Sequence, residues 1–210
     1  MNCTLIVFVK NPVRGKVKTR VAATVGDDKA LEVYLTLVNH TKEVVKEWFL
    51  TNETMLTKKV AVYYGDFVNN EDTWQETWIA KKIQPNVADL GERMRAAFEQ
   101  ELNEAGERVV IIGSDCLALR PAHISEAFAA LEEHEVVIGP ADDGGYYLLG
   151  MKQLQAYLFE DKPWSQSSLL TQTLAQLDTL STSVWLGEAL SDVDTWEDYL
   201  RESERLRSRE

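Results

Sequence analysis

Short apolar runs rich in Val, Ile and Tyr recur along the chain, at residues 4–9, 60–64, 109–112, 136–138, 146–149 and 183–186. Runs of this length and composition read as strands buried on both faces of a sheet. The segments between them change period. Residues 28–49 set Leu31, Tyr34, Val38, Val45 and Phe49 on one helical stripe, and residues 90–105 do the same with Leu90, Met94, Phe98 and Leu102. Pro121 suits a first helical position, with Ile124, Phe128 and Leu131 following at helical spacing. Residues 166–177 and the charged tail from Thr195 onward also read as helices. Strands alternating with helices predict an α/β architecture, with a mostly parallel central sheet and helices on both faces. No repeat, low-complexity linker or boundary interrupts residues 1–210, so a single domain is expected. The polar, Trp-containing stretch 66–79 reads as a loop or excursion over the sheet.

In such a sheet, ligands sit outside the carboxyl ends of the strands. The chemically loaded segments do follow strands: a basic segment after the first run, Gly113-Ser114-Asp115-Cys116 after 109–112, and Gly139-Pro140-Ala141-Asp142-Asp143-Gly144-Gly145 after 136–138.

Charge narrows the partners. The net charge of −12 argues against a nucleic-acid partner, which needs a broad basic surface. The first 26 residues nevertheless carry Lys10, Arg14, Lys16, Lys18 and Arg20 and no acid. A basic segment on an acidic protein reads as a local anion site, the alternative being a solvated loop. No stretch approaches the roughly 18 to 20 apolar residues that span a membrane. The run 5–9 has neither the basic leader nor the cleavage site of a signal peptide, and Cys3 and Cys116 form no CxxC pair. A cytoplasmic, reducing home is expected; the sequence carries no signal of oligomeric state.

Four segments can carry chemistry. In the first, Gly15 permits close backbone approach, and Lys10, Lys16, Lys18 and Arg20 can neutralise phosphates. It is not a Walker P-loop, which would need Gly at 10 and Ser or Thr at 17 where the chain has Lys10 and Val17, and no GxGxxG occurs. In the second, Asp115 can bind a hard cation that bridges to phosphate, or close an Asx turn; Cys116 beside it reads as a small buried hydrophobe. The third pairs Asp142 and Asp143 with Gly144 and Gly145, either a cation-hungry ligand loop or a tight turn between strands. The fourth, Asp192-Val193-Asp194-Thr195, can hold a divalent metal, or cap the last helix through Asp194 or Thr195.

Taken in order, these segments resemble a known family. The matching residues are Lys10-x-Pro12, Gly15-Lys16-Val17-Lys18-Thr19-Arg20, Gln84, Leu90-Gly91-Glu92-Arg93-Met94, Gly113-Ser114-Asp115-Cys116, residues 139–150, Trp164-Ser165 and Asp192-Val193-Asp194-Thr195. They resemble the bacterial nucleotide-diphospho-sugar transferases of Rossmann-like GT-A fold known as radical-SAM-associated transferase 1 or arsenosugar-biosynthesis glycosyltransferases (DUF2064). The layout is also similar to the guanylyltransferases of molybdenum-cofactor and phospholactate metabolism. The stretch at 139–150 is the specific one; Leu117 departs from the proline usual after the GSDC cysteine.

The resemblance implies that Lys10, Gly15, Lys16, Lys18 and Arg20 contact nucleotide phosphates and that Gln84 and Gly91 lie near the base. It implies Asp115 with Asp192 or Asp194 as ligands of Mg²⁺ or Mn²⁺, and Asp142, Asp143 and Tyr146 on the acceptor side. The expected activity is metal-dependent glycosyl transfer from a nucleotide-sugar to a small-molecule acceptor, with Asp115, Asp142 and Asp143 as catalytic candidates. The alternatives are nucleotidyl transfer releasing pyrophosphate, or a nucleotide-binding partner protein without turnover.

Overall fold

The computed structural model describes residues 2–51, 57–104 and 107–208. Seven strands form one sheet: β1 (Asn2–Val9), β2 (Thr57–Tyr64), β3 (Ile79–Ile83), β4 (Arg108–Ile112), β5 (Val136–Pro140), β6 (Tyr146–Met151) and β7 (Val184–Leu186). Their order is β3-β2-β1-β4-β6-β5-β7, and only β6 runs against its neighbours β4 and β5. The carboxyl ends of the other six therefore share one edge, where β6 begins.

β1 occupies the middle of the sheet, which explains its continuous apolar character. Cys3, Leu5, Val7 and Val9 face one layer, while Ile6 and Phe8 face the other. The first layer contains α2 (Asp27–Leu50) and α4 (Pro121–Ala130), joined where Trp48 stacks on Phe128 with ring centroids 5.2 Å apart. The second contains α3 (Leu90–Asn103), α5 (Leu169–Thr179) and a 3-10 turn at Ala156–Leu158, with Met94, Phe98 and Leu177 buried against Ile6 and Ile111. Each fully buried side chain of this size contributes roughly 1.5–3 kcal/mol. A smaller cluster ties α1 (Thr19–Val25) and α2 to α6 (Trp196–Arg207) through Val21, Val33, Leu37 and Val193.

The six expected strands and five expected helices are present with boundaries shifted by a few residues. Residue 105 of the expected helix over 90–105 and residues 209–210 of the tail lie outside the described residues. Besides the 3-10 turn, a strand and a helix were not expected. β3 has the sequence Ile-Ala-Lys-Lys-Ile and closes the stretch read as an excursion. It is an edge strand, where lysines are at home, and Lys81 and Lys82 find Asp72, Glu101 and Glu104. α1 turns the end of the basic segment into helix. It has seven residues and no side-chain cap, so only the complete burial of Val21 marks it.

Among the described residues no helix is long and apolar enough to cross a membrane.

Candidate functional site

A cleft of about 510 Å³ opens along the carboxyl edge of the sheet. It straddles both helical layers. The segments after β1 and before α6 form one end, and the start of α3 with residues 164–166 forms the other.

At the first end the chain reverses through Lys18, which has left-handed backbone angles (φ 46°) at the start of α1. That unusual conformation turns its side chain inward. Its Nζ donates to the Val193 carbonyl at 2.6 Å and pairs with Asp115 at 2.8 Å, and only 7% of the side chain is exposed. Arg20, the second residue of α1, pairs with Asp194 at 2.9 Å. Asp192 lies between, partly buried. Burial and the nearby carboxylates of Asp115 and Asp143 push its carboxyl up to about 7, against a smaller opposing pull from Lys18. Four carboxylates, from Asp115, Asp143, Asp192 and Asp194, thus line one end of one cleft.

Those hard oxygen donors suit Mg²⁺ or Mn²⁺. Among the described residues no group of three or more His, Cys, Asp or Glu stands ready to hold an ion alone. That fits a cation held by one or two carboxylates and completed by substrate phosphates and water, as Mg²⁺ commonly is. Asp192, crowded by like charge, is the group such a cation would relieve most.

The α6 cap leaves these acids free. Thr195, not Asp194, caps the helix, in a reciprocal box with Asp198.

The paired acids of the β5–β6 hairpin separate. Asp143 lines the cleft, and its Oδ1 accepts from the Gly145 N–H at 2.8 Å, closing the turn. Asp142 lines a smaller pocket beside Glu188 and Glu202, and its carboxylate accepts from the Ser191 hydroxyl. The hairpin reading and the cleft reading of this segment hold together. Gly144 there has φ 89° and lies so close to the Ser167 backbone that a Cβ would come within 2.1 Å of its carbonyl oxygen.

At the second end, Gln84 is buried and lines the cleft, but its amide is engaged on both sides. It donates to the Tyr63 carbonyl at 3.0 Å and accepts from Arg93 Nη1 at 3.2 Å. Gly91 does not line the cleft. It is a packing residue, since a Cβ would lie 2.5 Å from the Phe159 carbonyl oxygen and 2.7 Å from the Trp164 ring. Gly15 and Lys16 also lie outside the cleft, on an exposed turn where Gly15 takes φ 73°. Lys10 lines the cleft at the end of β1, held at its backbone by Tyr34, whose hydroxyl donates to the Lys10 carbonyl and accepts from the Lys10 N–H, both at 2.8 Å.

Among the lining residues not proposed as site residues are Tyr34, Arg93 and Trp164. Arg93 carried a usable signal, a cation beside the apolar stripe at Met94. Tyr34 read as a stripe residue, and nothing local marks Trp164. Cys116 is buried with its thiol pushed up to about 12, mainly by burial, which removes it as a nucleophile.

The family model for "uncharacterized protein conserved in bacteria (DUF2064)" matches residues 23–166. The chain belongs to this family. Among solved structures, it superposes on a provisionally named nucleotide-diphospho-sugar transferase from Desulfovibrio desulfuricans G20 with a TM-score of 0.81 and 26% identity, over 99% of this chain and 97% of that one. A nucleotidyl transferase from Methanothermobacter thermautotrophicus (Mth528) gives 0.64 at 16%, covering 98% of each chain. Rv0371c of Mycobacterium tuberculosis H37Rv in complex with manganese gives 0.56 at 13%, over 96% and 97%. The last two likenesses carry the fold alone. No curated protein matches this DUF2064 chain.

Proposed function

We propose that this DUF2064 chain is a metal-assisted transferase acting on a nucleotide-activated sugar in a reducing, cytoplasmic setting. The observation that carries the reading is the first end of the cleft, where Lys18, Arg20, Asp115, Asp192 and Asp194 stand together at the carboxyl edge of the sheet. Cations there neutralise phosphate oxygens as charge builds on the leaving nucleotide, and such positioned charges supply a few kcal/mol each. A divalent ion held by Asp115 with Asp192 or Asp194 supplies Lewis acidity toward the phosphates. Lys10 extends the basic rim. Asp143 is the cleft's candidate base for an acceptor hydroxyl; Asp142, turned toward Ser191, is not. The Desulfovibrio likeness supports the nucleotide-sugar donor.

One observation favours nucleotidyl transfer as the second reading. With Asp142 outside the cleft, one of the two candidate bases is lost, and an attacking phosphate or carboxylate needs none.

The test is thermal-shift titration with UDP-, GDP- and ADP-sugars and with nucleoside triphosphates, each with Mg²⁺, Mn²⁺ or EDTA. Ligand at about 100 times its dissociation constant adds roughly 2.7 kcal/mol of stability. Metal-dependent shifts with nucleotide-sugars are the expected result, and a preference for triphosphates selects the second reading. Absence of any shift overturns both.

A further inference from the structure

The second end of the cleft holds donor N–H and O–H groups that have no partner among the described residues. Arg93 lines it, and among the described residues its guanidinium pairs with no carboxylate. Its Nη1 donates to Gln84, but its Nε–H is shielded from water and has no partner. Tyr146 and Trp164 line the same end, packed edge to face with centroids 6.4 Å apart. The Tyr146 hydroxyl and the Trp164 indole N–H are likewise shielded and without partners. Buried unpaired donors are uncommon, and each costs about 1–3 kcal/mol of stability. Three in one cleft, one of them permanently charged, point to a ligand.

Their chemistry says which kind. A guanidinium and an indole can only donate, and the Tyr146 hydroxyl can donate. Gln84 beside them already gives its amide to the Tyr63 carbonyl and accepts from Arg93. Two donor-only groups and a hydroxyl that can donate match an acceptor-only group well. Asp115 and Asp194, whose carboxylates would repel an anion, are held by Lys18 and Arg20 at the other end.

We propose that Arg93, Tyr146 and Trp164 form an oxyanion subsite that anchors a carboxylate or phosphate carried by the acceptor substrate. Calling that molecule an acceptor rests on the transferase reading above; the binding itself does not. The aromatic pair walls off water, so each hydrogen bond to the anion is stronger than it would be in solvent.

The test uses the full-length protein labelled with ¹⁵N and follows the Trp164 indole N–H resonance, assigned with Trp164→Phe. Inorganic phosphate and sodium acetate are titrated separately against sodium chloride at matched ionic strength. The expected result is a saturable movement of the Trp164 signal with phosphate or acetate and none with chloride; the tighter of the two names the group. Arg93→Gln should weaken that response about tenfold or more, as loss of a charge-assisted contact does. Tyr146→Phe, which keeps the ring, should weaken it several-fold and guards against a folding defect in the arginine variant. A Trp164 signal unmoved by both anions, or moved equally in wild type, Arg93→Gln and Tyr146→Phe, overturns the subsite. Nucleotide-dependent thermal shifts are read separately. A protein that binds nucleotide with metal but shows no anion response at Trp164 loses this subsite and keeps the transferase reading.

Discussion

The two ends of the cleft handle charge in opposite ways. At the α1/α6 end Lys18 sits on Asp115 and Arg20 on Asp194, while burial, and after it the carboxylates of Asp115 and Asp143, push the Asp192 acid up to about 7. At the α3 end the Nε–H of one guanidinium and two neutral donors have no partner among the described residues. The first end carries its own cations beside its acids, whereas the second end has donors with no acid beside them. Lys18 sits on Asp115 as an internal counter-ion, which makes the clustered acids tolerable in the fold.

The largest effect that can break this comparison is expected at Asp115. Asp115→Asn keeps the shape and the hydrogen bond but removes the charge, so turnover should fall about a hundred- to a thousandfold, the scale for losing one positioned electrostatic group. Metal-dependent thermal stabilisation by nucleotide should disappear with it. Turnover within threefold of wild type, measured by release of nucleoside diphosphate or pyrophosphate, would remove Asp115 from the mechanism. A protein whose nucleotide affinity ignores both the substitution and the metal would be a binder without turnover.

Asp192 gives the next largest effect, through pH. In the metal-free protein its acid titrates near 7, mainly because of burial and then because of Asp115 and Asp143, against 3.8 as an ordinary acid. Between those values the folded chain holds a proton the unfolded chain has lost. Stability attributable to this group is therefore present below about pH 4 and lost as pH rises through 7. The loss should approach roughly 2–3 kcal/mol once partial contact with water is allowed for. Urea midpoints measured in EDTA at pH 5.5 and 8.5 should differ accordingly, and Asp192→Asn should flatten the difference. A wild-type midpoint unchanged across that range would show that the carboxylates do not crowd one another.

How much of this was legible beforehand follows from what each signal depends on. Strands buried on both faces advertise themselves, because local composition alone records the burial, and three of the helices showed apolar stripes for the same reason. β3 and α1 did not. One is an edge strand whose lysines satisfy themselves on distant acids, the other a short seven-residue helix without a side-chain cap. For the site, proximity to strand ends was readable, and Lys10, Lys18, Arg20, Gln84, Asp115, Asp143, Asp192 and Asp194 do line the cleft. Side-chain direction was not readable. Asp142 and Asp143 are neighbours in one turn and end in different pockets, and Gly91 lies beside the cleft for a packing reason set by Trp164. The unpaired state of Arg93, Tyr146 and Trp164 is invisible locally, because lacking a partner is a property of the whole fold.

Lys18 comes third. Lys18→Met keeps the stem but strands the Val193 carbonyl and uncovers Asp115, so stability should fall by about 1–3 kcal/mol. For a chain of this size that lowers the melting temperature by roughly 2–4 °C per kcal/mol. If Lys18 is the internal counter-ion, Mg²⁺ should recover more of the lost stability in the variant than it adds to wild type. Equal gains would make the lysine a simple fold contact and erase the contrast between the two ends.

The smallest effect, at Asp142, discriminates through its ratio to the effect at its neighbour Asp143. Asp142 and Asp143 are chemically identical and adjacent, so charge deletion at either changes the net charge equally and perturbs the same hairpin. Asp142 accepts from Ser191 outside the cleft, and Asp142→Asn can retain a hydrogen bond there. Turnover should stay within about twofold, with at most a fractional change in stability, as for most substitutions away from a site. Asp143→Asn keeps an acceptor for the Gly145 N–H while removing a cleft carboxylate, so the turn should persist. In glycosyl transfer it should cost about a hundredfold in turnover, the lower end of the range for a general base. Nucleotidyl transfer to a phosphate or carboxylate needs no base, so there the two variants should behave alike. The ratio of the two rates separates the reactions without knowledge of the natural acceptor's full structure, and a larger loss at Asp142 than at Asp143 would contradict the orientation of the hairpin itself.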